Sequence, residues 1–155
     1  MTRPARSVPR TALALSASAV LFAGCDEPGG YVLIRPPFAA TPACDRLMES
    51  VPAELGGHKK RSGLRGAVPW GDGDIILYCG MPEPDATADR VAAGGVDWVA
   101  QEPADRTSAK IFATYGRDST VQVRFREEDV DVSSVLTALA PAVRGDVDAG
   151  GAAVD

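Results

Sequence analysis

Three cysteines, at positions 25, 44 and 79, constrain this chain more than any other feature of its sequence. The first of them closes a leader. Arg3, Arg6 and Arg10 precede an uncharged stretch at residues 11–22 (TALALSASAVLF), and Ala23-Gly24 then run into Cys25. Crossing the hydrocarbon core of a bilayer takes about 20 helical residues, so a stretch this short reads as an export signal and not as a spanning helix. Small residues directly before a cysteine suit a lipoprotein signal peptidase, after which the Cys25 sulfur carries a diacylglycerol. The residue three before such a cysteine is usually Leu, Val or Ile; here it is Phe22, with Leu21 one place earlier. Ordinary cleavage and release is the competing outcome, because Ala17-Ser18-Ala19 offers a second small-x-small site. An uncleaved anchor is the third.

With Cys25 assigned to lipid, Cys44 and Cys79 remain as one pair in an oxidising compartment, and a disulfide between them is expected. Two separately buried thiols are the alternative. The chain has no Cys-x-x-Cys redox motif, and two cysteines with the single His58 are too few for a four-ligand zinc site. Neither a metal nor a cofactor is expected.

The 155 residues are 45% hydrophobic and 24% charged, which fits one small globular domain with tails and excludes collagen-like, coiled-coil and wholly disordered chains. The net charge of −5 becomes −8 once the three arginines of residues 1–24 are removed. An acidic body argues against nucleic acid as a partner. Anionic lipid would repel it too, so membrane attachment is expected through acyl chains.

Residues 25–41 follow the signal (1–24) and read as a flexible tether, since Pro28, Gly29, Gly30, Pro36 and Pro37 oppose regular structure. Fully stretched, the tether would reach about 50 Å. Its apolar centre, residues 31–34, is a candidate edge strand. A single domain is expected over 42–144, and a disordered tail over 145–155, where bulky apolar residues are too few to offset ordering entropy. The first helix should start near Thr41 with Pro42 in its first turn. Leu47, Val51 and Leu55 would line its buried face, and Gly56-Gly57 would end it. The continuous apolar run at 74–79 predicts a buried strand, 96–100 a shorter one, and 109–115 with 120–126 a hairpin. In the last of these Val121, Val123 and Phe125 alternate with polar residues, which predicts one buried sheet face. A closing helix over 133–143 carries Val135, Leu136, Leu139 and Val143 on one stripe, with Ser133 or Asp131 as its cap and Pro141 fraying its end. The fold class that follows is α+β: a two-layer sandwich with a mostly antiparallel sheet and an N-terminal and a C-terminal helix packed on it.

Several motifs occur in order along this domain: Cys44-x-x-Leu47, Leu55-Gly56 after Pro52, Trp70-Gly71-Asp72, and Ile75-Ile76-Leu77-x-Cys79-Gly80-x-Pro82-x-Pro84. Gly95-Val96-x-Trp98, Phe112-x-Thr114, Arg117 and Val121-x-Val123 follow. Together they resemble the actinobacterial family catalogued as domain of unknown function 3515, over about residues 44–143. The resemblance implies an exported or lipid-anchored envelope protein whose two cysteines belong to the family pattern. It implies no reaction.

Two local features invite a functional reading. His58, Lys59, Lys60, Arg61 and Arg65 form a basic segment that suits an anion such as a phosphate or wall polymer, a partner, or the membrane surface, unless the acidic residues 127–131 neutralise it. Trp70, Asp72 and Asp74, with Asp97 and Trp98, form a possible loop site; the structural alternative is a glycine-rich turn with Trp70 over the core. No nucleophile motif accompanies His58, so no catalytic residue is assigned. The expected role is a lipid-anchored, non-catalytic binding or accessory module on the extracytoplasmic face of the membrane, with an envelope protein or wall component as partner. An envelope hydrolase using the loop carboxylates or His58 is the alternative, and a small-ligand carrier with an apolar cavity is another.

Overall fold

A computed structural model describes residues 30–150 apart from 87–88, 105–106 and 127, with side chains described through residue 145. The expected signal, Cys25, residues 26–29 of the expected tether and residues 151–155 lie outside the described residues. In chain order the elements are α1 (Pro42–Ser50), β1 (Glu54–Leu55), β2 (His58–Lys59), β3 (Ala67–Trp70), β4 (Ile75–Met81), β5 (Arg90–Ala93), β6 (Val96–Gln101), β7 (Lys110–Thr114), β8 (Thr120–Phe125) and α2 (Val132–Gly150). The larger sheet has the order β3-β4-β8-β7-β6-β5 and every neighbouring pair is antiparallel. Helix α1 packs on α2 and β4, and α2 on β5 and β6. This is the expected α+β class, with a helical layer on a sheet.

Helix α1 begins as the sequence predicts. Thr41 Oγ1 accepts a hydrogen bond from Cys44 N at 3.2 Å, and Pro42 opens the first turn. The helix ends at Ser50, earlier than the apolar spacing suggests, because the extended Val51 before Pro52 cannot continue it. Leu55 is still buried, but in β1. Gly56 and Gly57, at φ 57° and 81°, form the two-residue turn of the β1–β2 hairpin instead of terminating the helix. Gly94 and Gly95 do the same between β5 and β6.

The disulfide is present. Cys44 and Cys79 join at an S–S distance of 2.04 Å, and both are fully buried, so the bridge fastens α1 to β4 inside the core. Around it Trp70, Trp98, Phe125, Leu47, Leu77, Leu136 and Leu139 are each less than 2% exposed. They fill the space between helices and sheet. Strand β8 alternates as expected, with Val121, Val123 and Phe125 in that core and Gln122 and Arg124 on the other face.

The expected tether is corrected over residues 31–39. Tyr31 and Leu33 pack against Ala67, Ile76 and Tyr78 on the sheet face opposite the helices, so this segment covers a face and adds no edge strand. Phe38 N donates to the Gly80 carbonyl at 2.9 Å. Gly80 sits at φ 91°, where a Cβ would stand 2.6 Å from Ala39 N, so the close approach of the two backbones requires glycine. Two-sided cover also explains why β4 is a continuous apolar run: its residues 75–80 are all buried.

The last helix is capped by Asp131, whose carboxylate accepts from Ser134 N (3.2 Å) and Ser134 Oγ (2.7 Å). Its apolar stripe is buried as expected. The helix runs to Gly150, beyond the end expected near Val143. Pro141 removes only the hydrogen bond its missing N–H would give to Thr137, and each later residue adds its own. Around residues 143–144 the helix is fastened to the sheet: Arg117 Nη1 donates to the Val143 carbonyl at 3.0 Å, and Arg144 to the Gly94 carbonyl.

Candidate functional site

The basic segment and the acidic loop, read separately from the sequence, meet in the fold. The β1–β2 hairpin delivers His58 and Lys59, and the chain then runs beside β3: Gly71 N donates to the Lys59 carbonyl (3.0 Å) and Arg61 N to the Pro69 carbonyl (2.9 Å). Residues 71–74 link β3 to β4 as a tight turn. Asp74 organises that turn, its Oδ2 accepting from Asp72 N at 2.9 Å and lying 3.3 Å from His58 Nδ1. Gly71, at φ 63°, makes this possible, since a Cβ there would strike the Asp74 carboxylate and come within 2.7 Å of His58 Nδ1.

The arginines are committed to carboxylates. Arg61 Nη2 donates to Asp72 Oδ1 at 3.1 Å. Arg65 grips Asp45 of α1 with two bonds, Nε to Oδ1 at 3.1 Å and Nη2 to Oδ2 at 2.7 Å. That fork holds the Asp45 carboxyl below its ordinary pKa and raises the Arg65 guanidinium above its own. Among the described residues the segment thus meets Asp45, Asp72 and Asp74, which the sequence does not place near it. Of the acidic residues expected to do so, Asp129 and Asp131 share a groove of about 400 Å³ with His58, and Glu127 lies outside the described residues.

Trp70, Asp97 and Trp98 lie apart from this cluster, and for Trp70 the structural alternative holds, a glycine-rich turn with the indole over the core. Trp70 is fully buried, with its indole Nε1 donating to the Pro52 carbonyl at 3.0 Å. Trp98 is equally buried, and its Nε1 has no hydrogen-bond partner among the described residues. Asp97 is exposed on β6, four sheet positions from β3, which is about 19 Å at the usual strand spacing. The possible loop site therefore reduces to Asp72 and Asp74.

Between α1 and residues 60–68 lies an open groove of about 530 Å³. Met48, Leu64, Ala67 and Val68 supply its apolar lining, and Lys60, Arg61, Arg65, Asp45 and Glu49 its charges. Leu64 is 45% exposed, large for an aliphatic side chain with nothing covering it. No local pattern signals this groove, because its walls come from two segments distant in the chain that meet through the core and the Arg65–Asp45 fork.

Among the described residues no cluster of three or more His, Cys, Asp or Glu side chains could hold a metal, and no helix is long and apolar enough to cross a membrane. No curated protein and no solved structure matches the chain. The model of one family, described as protein of unknown function (DUF3515), matches residues 10–151, nearly the whole length, and the chain belongs to that family.

Proposed function

We propose that this chain is an exported, lipid-anchored envelope protein that works by binding, through the groove between α1 and residues 60–68. The observation that carries the reading is the fully buried Cys44–Cys79 bridge, since structural disulfides form and persist in oxidising compartments. The arginine-led leader ending at Cys25 supplies the route and the anchor. Many of the motif residues have structural tasks: Cys44 and Cys79 staple, Gly56 turns, Gly80 admits the docked segment, Arg117 holds α2, and Thr114 Oγ1 accepts from Val121 N at 2.9 Å. A pattern devoted to rigidity suits a scaffold that presents a surface. The groove, apolar and charged together, fits an envelope protein or wall component bearing both kinds of group.

The test combines two readouts on the full chain in its native membrane. Mass spectrometry of the mature N-terminus should find Cys25 diacylated. A photo-crosslinking residue at Leu64 should give a defined adduct that the same residue at Val91, on β5, does not. A cytosolic protein with an intact leader, or equal adducts from both positions, overturns the reading.

One observation favours hydrolysis as a second reading. The His58–Asp74 contact is the pairing that orients a general base, and His58 borders the 400 Å³ groove. Ser134 lines that groove as well, but its hydroxyl donates to Asp131 as part of the α2 cap. Turnover of a wall-derived substrate abolished by His58→Ala would establish this reading over binding.

A further inference from the structure

The segment that docks on the sheet alternates over residues 31–34 between half-buried and exposed side chains, and exposes more beyond. Tyr31 and Leu33 face Ala67, Ile76 and Tyr78. Between and after them Val32 is 83% exposed, Ile34 52% and Phe38 61%, and Arg35 is exposed beside them. These are three of the five large apolar side chains left exposed among the described residues, and all three fall within seven positions. Single exposed apolar residues are ordinary; a concentration of them marks a contact surface.

Chain length says what they contact. Docking begins at Tyr31, so only six residue steps separate it from Cys25, a reach of at most about 20 Å against the 50 Å of a tether free to residue 41. A lipid on Cys25 fixes that end at the bilayer surface. The part of the domain held nearest the membrane is then this segment, with Val32, Ile34 and Phe38 turned away from the sheet. Apolar side chains with a neighbouring arginine suit the boundary between headgroups and acyl chains, while the acidic body does not.

We infer that residues 32–38 form a membrane-seating face, which enters the outer boundary of the bilayer that carries the Cys25 anchor and holds the domain in one orientation. The inference rests on the lipid-anchor reading. It makes the leash a positioning element and sets which face of the sheet is turned toward lipid.

The test uses the full chain purified with its anchor and reconstituted in phosphatidylethanolamine–phosphatidylglycerol vesicles whose acyl chains are brominated. Trp70 and Trp98 are buried and give a constant background. Tryptophan is introduced as Ile34→Trp, as Phe38→Trp and, for comparison, as Val91→Trp; Val91 pairs with Trp98 and so lies on the helix side of the sheet. Ile34→Trp and Phe38→Trp should be quenched beyond the parent protein, and Val91→Trp should not. Amide exchange of the unsubstituted protein provides a readout independent of the variants, and should slow over residues 32–38 when vesicles are added. A diacylated protein with no added quenching at 34 and 38 and unchanged exchange overturns the seating face and leaves the anchor standing. A protein without lipid on Cys25 overturns both.

Discussion

Opening the Cys44–Cys79 bridge should remove a large share of the stability of this domain. The bridge closes a loop with a sequence separation of 35, and the chain-entropy relation for a loop of that size gives about 3.8 kcal/mol at 25 °C. Roughly 115 ordered residues carry an unfolding entropy of about 240 cal/mol/K, so the midpoint should fall by about 15 °C. Both sulfurs are fully buried, and reductant reaches them only when α1 lifts or the domain opens. Helix α1 has nine residues, too few to persist alone, and besides the bridge it is held by its cap, by the Arg65–Asp45 fork and by its packing on α2 and β4. The assay is urea denaturation after equilibration with and without dithiothreitol, followed by far-ultraviolet circular dichroism and by amide exchange. Exchange of the α1 amides should accelerate more than that of β4 or β8. A reduced protein within about 1 kcal/mol of the oxidised one would refute the claim that this bridge limits the unfolded chain. A Cys44→Ala/Cys79→Ala variant should lose somewhat more, because it also leaves space in the core.

The remaining expectations concern single contacts. Thr41→Ala removes the acceptor for Cys44 N and should cost about 1 kcal/mol in denaturant titration. Gly80→Ala forces a positive φ on a residue with a Cβ and drives that Cβ into the backbone of the docked segment; it should lose about 3 kcal/mol and expose residues 31–39 to proteolysis. Burial, above all, raises the Tyr78 phenol, so the folded state holds its proton longer than the unfolded chain; stability is retained below the unfolded tyrosine value of about 10 and falls as pH rises past it. Tyr78→Phe should flatten that alkaline slope, and an unchanged slope would assign it to another group. The hydrogen bond from Arg65 holds Asp45 low, and that from the Ser134 hydroxyl holds Asp131 low, so their contributions persist above the unfolded carboxylate value and vanish as pH falls through the folded ones. Carboxyl resonances followed by NMR should titrate below the ordinary aspartate range at these two positions, and Ser134→Ala should return Asp131 toward it.

The amino-acid pattern alone specified the α+β class, the cap and first turn of α1, strands β4, β6, β7 and β8, the stripe on α2 and the sulfur bridge. Each is a local signal or, for the bridge, a matter of parity among three cysteines. Strands β3 and β5 escaped because they are four residues long; β3 carries Pro69, tolerable only because it is an edge strand, and edge position is a property of the assembled sheet. The Gly-Gly pairs at 56–57 and 94–95 fit a helix end or a hairpin equally well, and strand pairing chose the hairpin. Tertiary structure likewise separated the two tryptophans from Asp72, joined His58 to Asp74 and Arg65 to Asp45, and laid residues 31–39 across the sheet. These contacts link residues from 16 to 47 positions apart, and no periodicity of 2 or 3.6 reports which distant segments will share a face. Local sequence set which elements form; the burial of the second face of β4 decided where residues 31–39 had to lie.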